Sequence, residues 1–170
     1  MKRLLLATAV SLLTAGSALA QTVYIVRHAE KADASADPAL SEAGQARAAA
    51  LAEALRDAHP VLVLTSPLQR TRLTATPTAE YHSAPVEAVS LEGGGAAHIA
   101  AAVARVRALP ADATVRIVGH SNTVPAIARA LGYAEAADMP ECEYDRMTVL
   151  HLMGEAAHGM VSRYGAPTTC

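Results

Sequence analysis

The 170-residue chain has no Trp and no Phe, and five Tyr are its only large aromatic residues. A base-stacking platform or an aromatic carbohydrate groove needs such rings, so neither class of partner is expected. It also lacks a basic excess. Fourteen Lys and Arg stand against 16 Asp and Glu, for a formal charge of −2 and a pI near 6.4. No run of basic residues forms an electrostatic footprint, so nucleic acid is not an expected partner. Cysteine is scarce as well, with two residues at 142 and 170. The sequence leaves open whether they pair or stay as thiols, one of them on the terminal residue. No repeat, linker or low-complexity segment divides the chain.

Apolar residues make up 52% of the chain and charged residues 18%. One domain of this size can bury a core without metal or disulfide staples. Ala is far above its usual share, at roughly a quarter of the residues, which predicts a core of thin side chains. Residues 1–20, MKRLLLATAVSLLTAGSALA, have the tripartite form of a secretory signal. Lys2 and Arg3 start it, an apolar stretch follows, and Ala18-Leu19-Ala20 ends it, with cleavage expected before Gln21. The apolar run is short for a membrane span, and no other stretch approaches that length. The expected mature domain is therefore 21–170, periplasmic or secreted, without stable membrane insertion. Removing Lys2 and Arg3 leaves 12 basic residues against 16 acidic ones, a balance of −4.

Beyond residue 21, strand-length apolar runs alternate with helical patterns. Strands are expected at 22–26, 61–64, 86–91, 115–118, 148–153 and 160–164. Helices are expected from Ser41, as N-cap, to about Asp57, and over 67–81, 96–109 and 122–131. Pro67 and Pro125 suit first turns, Pro77 marks a kink or early end, and Gly132 a stop. This alternation predicts an α/β fold, a three-layer sandwich with a mostly parallel sheet and helices on both faces.

Three of these strands run into unusual polar groups. Arg27-His28-Ala29-Glu30-Lys31 follows the first, Ser66-Pro67-Leu68-Gln69-Arg70-Thr71 the second, and Gly119-His120-Ser121-Asn122-Thr123 the fourth. Ligands in open α/β sheets bind beyond the carboxyl ends of the strands. Two imidazoles, at least two guanidiniums and nearby helix starts would converge there, which suits a doubly charged anion such as a phosphoryl group.

With the helix entry Asp37-Pro38-Ala39-Leu40-Ser41-Glu42-Ala43-Gly44, these blocks in this order resemble the histidine phosphatase superfamily, of phosphoglycerate mutase-like fold. The resemblance is to its small phosphohistidine-phosphatase-type members in particular. It implies a phosphatase that needs no metal or other cofactor and takes a small phosphorylated substrate. His28 would attack phosphorus and form a phosphohistidine. Arg27 and Arg70 would clamp the phosphoryl oxygens, and His120 would donate to one of them. The family also uses an acid to protonate the leaving group. Glu92 in Ser90-Leu91-Glu92-Gly93-Gly94 is the candidate and Glu87 the reserve, although the spacing departs from the commoner family pattern. Members that take phytate commonly have His-Asp at the second histidine, where this chain has His120-Ser121, so a small or exposed phosphate ester is expected. A phosphomutase of the same fold and a non-catalytic phosphate-binding module are the alternatives.

Other polar residues have plainer readings. Arg72 should face solvent, Gly93-Gly94-Gly95 should form a turn, and Glu143 and Asp145 should cap the following strand. The remaining histidines, 59, 82, 98, 151 and 158, show no metal-ligand spacing.

Overall fold

The computed structural model describes residues 20–170. The expected signal segment therefore lies outside the described residues, apart from Ala20. Six strands and four helices alternate. In chain order they are β1 (Gln21–Arg27), α1 (Glu42–Ala54), β2 (Leu62–Thr65), α2 (Gln69–His82) and β3 (Val86–Ala88), then α3 (Gly94–Arg107), β4 (Thr114–Gly119), α4 (Thr123–Ala130), β5 (Arg146–Met153) and β6 (Ala156–Arg163). They form one sheet ordered β3-β2-β4-β1-β5-β6. The pairings β3–β2, β2–β4 and β4–β1 are parallel, whereas β5 and β6 join as an antiparallel hairpin against β1. The expected α/β sandwich with a mostly parallel sheet is the observed fold.

The layers follow from the pleat. Alternate residues of a strand face opposite sides of a sheet, so a strand buried on both faces reads as a continuous apolar run. Val23 and Ile25 of β1 point to one side, with Leu62, Leu64, Val115 and Ile117, and pack on Val106 of α3, Ile127 of α4 and Leu131 just beyond it. Val26, Val63 and Val118 point to the other side, against Leu51 of α1 and Ala75 and Ala79 of α2. The short Ala side chains let α2 lie close to the sheet.

Local signals explain most element ends. Ser41 caps α1 by accepting from the Gly44 amide at 3.1 Å, leaving an otherwise orphan donor satisfied. The chain leaves α4 through Gly132, whose φ of +108° disfavours any residue with a Cβ. Three expectations need correction. Pro77 does not end α2, which continues to His82, because the missing proline N–H costs only one of its ladder bonds and Thr74, Ala75, Thr78 and Ala79 remain buried. Pro67 lies outside α2, which begins at Gln69. The third strand stops at Ala88, so Val89 to Leu91 are loop. Among the described residues no helix is long and apolar enough to cross a membrane.

Candidate active site

Parallel register brings three strand ends together. Arg27 is paired with Gly119 and Thr65 with Val118, so His28, Ser66 and His120 all emerge at one edge of the sheet. The His28 amide donates to the Gly119 carbonyl at 2.8 Å, extending this pairing one residue beyond the strand. A cavity of about 560 Å³ opens there, lined by Arg27, His28, Lys31, Arg70, His120 and Glu141 together with the backbone-rich stretches at Leu91, Gly94–Gly95 and Ser121–Thr123.

The His28 ring has one defined hydrogen bond, from Nδ1 to the carbonyl of Ala29 at 2.8 Å. A carbonyl only accepts, so Nδ1 carries the proton and Nε2 keeps its lone pair. Burial lowers the His28 pKa to about 4, and the cations Arg27, Arg70 and Lys31 push the same way, against the hydrogen bond to Ala29. The ring is therefore neutral and nucleophilic at ordinary pH. His120 stands beside it, with ring centroids 5.3 Å apart at 62°. Burial, followed by His28 and Arg70, lowers its pKa to about 3.

Arg27 is 2% exposed. Its Nη1 donates to the carbonyls of Pro140, Glu141 and Glu143, and its Nη2 to the Glu141 carboxylate at 2.8 Å. The guanidinium carbon lies 4.1 Å from the centre of the Tyr144 ring. The Arg27 Nε–H has no partner, although it is buried, and the same is true of the Arg70 Nε–H. Arg116 Nε, buried in the core away from the cavity, is unpartnered in the same way, so these atoms do not by themselves mark a ligand position.

The supporting residues tie these groups to the fold. Thr74 Oγ1 accepts from the Ala29 amide at 2.9 Å and donates to the Arg70 carbonyl at 2.8 Å, linking the segment after His28 to the turn of α2 that bears Arg70. Glu30 pairs with Arg47 of α1 through Nη2 at 2.7 Å and so serves the scaffold. Gly44 of α1 packs directly on the Glu30 backbone, where a Cβ would collide with the carbonyl. Gly119 is as constrained, because a Cβ there would meet Thr123 Oγ1 at 2.8 Å. Cys142 and Cys170 form a disulfide, with Cα atoms 5.4 Å apart, that ties the chain end to the loop carrying Glu141.

The structure thus gathers Arg27, His28, Arg70 and His120 around one cavity. Glu92 is exposed on the rim, between the lining residues Leu91 and Gly94, but is not itself a lining residue. Glu87 is paired with Arg105 of α3 at 2.8 Å and also lies outside the lining. Glu141 is the residue that sequence reasoning missed. It precedes the sheet's fifth strand in a loop, and nothing in its local sequence signals a partner 114 positions away. Gly94 and Gly95, expected in a turn, instead open α3, and this helix start belongs to the wall of the cavity. Arg72 is exposed, as expected.

Residues 23–90 match the family model of the histidine phosphatase superfamily (branch 1). Solved structures share the fold over most of the chain. A Nakamurella multipartitia protein described as a phosphohistidine phosphatase SixA is 29% identical, with a TM-score of 0.60, over 87% of this chain and 96% of its own. An Agrobacterium tumefaciens protein of the same description is 24% identical, with a TM-score of 0.60, over 86% and 97%. A mycobacterial glucosyl-3-phosphoglycerate phosphatase is 18% identical, with a TM-score of 0.61, over 87% and 100%. No curated protein sequence matches the chain.

Proposed function

We propose that the chain is a phosphatase of the histidine phosphatase superfamily that hydrolyses small phosphomonoesters through a phosphohistidine on His28, without a metal. The observation that carries this reading is the convergence of Arg27, Arg70 and His120 on the cavity that holds the neutral His28. Two guanidinium donors suit the equatorial oxygens of a phosphoryl group, and together they would stabilise the charge that builds there during displacement.

The His28 Nε2 lone pair forms a bond to phosphorus while the ester P–O bond breaks, and the leaving oxygen takes a proton from solvent. Water then attacks phosphorus and returns a proton to solvent, the N–P bond breaks with its electron pair going back to Nε2, and His28 regains its Nδ1–H form with inorganic phosphate as the product. Holding Nδ1–H on the Ala29 carbonyl keeps the attacking nitrogen aimed and unprotonated throughout. His120 contacts a phosphoryl oxygen in this scheme. Glu92 stands exposed beside the lining residue Leu91, and the steps are drawn without a carboxylic acid.

The cavity is open and mixes Lys31 with Glu141 at its walls, without an aromatic clamp or a basic cluster. That favours a small or exposed phosphate ester over a polyphosphate. The N-terminal sequence supports action outside the cytoplasm, in the periplasm or secreted.

The test is turnover of para-nitrophenyl phosphate by residues 21–170 in the presence of EDTA, beside the His28→Ala variant. The reading expects turnover by the native domain alone and a phosphohistidine trapped by rapid acid-free quench. Activity that EDTA abolishes would overturn the metal-independent route. Phosphate binding without turnover would turn the assignment to a binding module.

A further inference from the structure

His120 is held from behind by hydroxyls that the steps above do not use. Its Nε2 lies 3.0 Å from the Oγ of Ser66, a fully buried residue at the end of β2. Ser66 Oγ also lies 3.0 Å from Thr71 Oγ1 and accepts from the Leu68 amide at 3.3 Å. Thr71, fully buried as well, reaches two carbonyls, Leu68 at 2.8 Å and Ser66 at 3.0 Å. The Nδ1 of His120 has no partner among the described residues, which leaves it as the nitrogen available to the cavity.

Counting protons fixes the direction of this chain. A hydroxyl has one hydrogen and two lone pairs. The Thr71 hydrogen has three acceptors in reach, the Leu68 carbonyl at 2.8 Å and the Ser66 carbonyl and Oγ at 3.0 Å each, and the Leu68 carbonyl is its shortest contact. With the hydrogen on the carbonyls, the contact between the two hydroxyls is Ser66 donating to Thr71. The Ser66 hydrogen is used, its lone pairs face Leu68 N–H and His120, and the His120 contact closes only if Nε2 carries the proton. The opposite arrangement, Thr71 donating to Ser66 and Ser66 to Nε2, would turn the Thr71 hydrogen away from its shortest contact and leave the Ser66 carbonyl without that donor in a dry site.

We propose that the Thr71–Ser66 hydroxyl chain holds neutral His120 as the Nε2–H tautomer, so that Nδ1 meets an incoming phosphoryl group as a proton acceptor and takes up a proton as that group binds. Thr71 and Ser66 are positioning residues in this scheme, acting through His120. The inference rests on the reading of the cavity as a phosphoryl site. A neutral Nδ1 lone pair would repel a phosphoryl oxygen, whereas Nδ1–H donates to it.

The surroundings explain why the proton arrives only with the anion. Burial disfavours the imidazolium, and the groups that face His120 are mostly cationic or share its burden: His28 and Arg27 at the end of β1, Arg70 on α2, and His98 on α3. Lys31 lines the same cavity. Glu141, bonded to Ser121, is the one carboxylate in the lining and is already engaged by Arg27. A bound dianion reverses this balance and makes the charged ring favourable. The proton comes from solvent for a dianionic ester, or from the ester itself for a monoanion.

The tautomer is readable by nitrogen-15 NMR of the histidine rings in residues 21–170, whether or not the protein turns over. Sulfate serves as the probe, since it carries no proton to give near neutral pH. The expected result is Nε2–H in the free protein and protonation of both ring nitrogens with sulfate bound. Calorimetry in buffers of differing ionisation enthalpy should then show uptake of about one proton per sulfate. Thr71→Val frees the Ser66 hydrogen for Nε2, so His120 should shift to Nδ1–H and the uptake should vanish, while Thr71→Ser restores both. An Nδ1–H tautomer in the native protein would overturn the proposal, even if Thr71→Val failed to fold. So would an unchanged tautomer in folded Thr71→Val, or a His120 that stays neutral in the presence of sulfate at any concentration tested. A native protein with the Nε2–H tautomer and sulfate-coupled protonation but no phosphatase turnover would instead count only against the catalytic reading.

Discussion

Arg27 and Glu141 form an ion pair of unequal members, a guanidinium that is 2% exposed and a carboxylate that is 81% exposed, joined at 2.8 Å. The pair places a negative charge beside an arginine of the proposed phosphoryl site. Hydrogen bonding from Ser121, and then Arg27, hold the Glu141 pKa below the usual carboxylate range, so the group is ionised at neutral pH. A bound phosphoryl group must share Arg27 with it. Glu141→Gln should therefore tighten competitive inhibition by inorganic phosphate several-fold, with a steeper dependence on salt, because the site's net positive charge rises. An inhibition constant that stays the same or rises would mean that Glu141 supports Arg27 instead of competing for it.

The two site histidines also predict how stability depends on pH. An unfolded histidine binds its proton near pH 6.5, while folded His28 resists protonation until about 4 and folded His120 until about 3. Between these limits the unfolded chain holds more protons, so stability rises with pH and is lost as pH falls below about 6.5. Urea midpoints measured across this window should fall steadily on acidification. His120→Asn should flatten the slope, and a midpoint independent of pH in the native protein would contradict the burial described here.

The Cys142–Cys170 disulfide closes 28 positions of chain. A loop of that length restricts the unfolded state enough to contribute about 3–4 kcal/mol. Reduction, or the Cys142→Ser and Cys170→Ser double variant, should lower the unfolding midpoint accordingly in denaturant titrations. Identical midpoints with and without reductant, in protein shown to be oxidised beforehand, would argue that the bridge adds nothing to the fold.

Gly44 predicts a defect that its distance in sequence from the site does not suggest. An added methyl would strike the Glu30 carbonyl, two residues beyond His28, and backbone cannot move aside as a flexible side chain can. Gly44→Ala should destabilise by about 1–3 kcal/mol, as overpacking does. Turnover should fall with it, since Glu30 lies two residues beyond the proposed nucleophile His28. Gly95→Ala, where nothing lies within 4 Å of the new atom, is the control for stability. Equal thermal midpoints for the two variants would refute the collision.

Much of this molecule was legible along the chain. The apolar runs around Val23–Val26, Leu62–Leu64 and Val115–Val118 announce strands buried on both faces, because parallel strands covered by helices have no solvent side to mark with polar residues. Ser41 announces α1 through its own hydroxyl. Arg27, His28, Arg70 and His120 stand out because each follows such a strand, where a topology of this class exposes its side chains.

Other features have no local signature. Pro77 reads as a helix end, yet packing of α2 on the sheet outweighs the loss of one hydrogen bond. Glu141 reads as an ordinary surface acid, and only the return of the chain to the edge of β1 brings it to Arg27. The sequence by itself determined the α/β alternation and the residue types at the strand ends, since both are set by the chain's own periodicity and side-chain chemistry. Tertiary structure alone decided the pairing of Cys142 with Cys170, the contact of Glu141 with Arg27, and the alignment of Thr71, Ser66 and His120. Those depend on distances between segments far apart in sequence, and such distances are fixed only when the sheet register and the helix packing are.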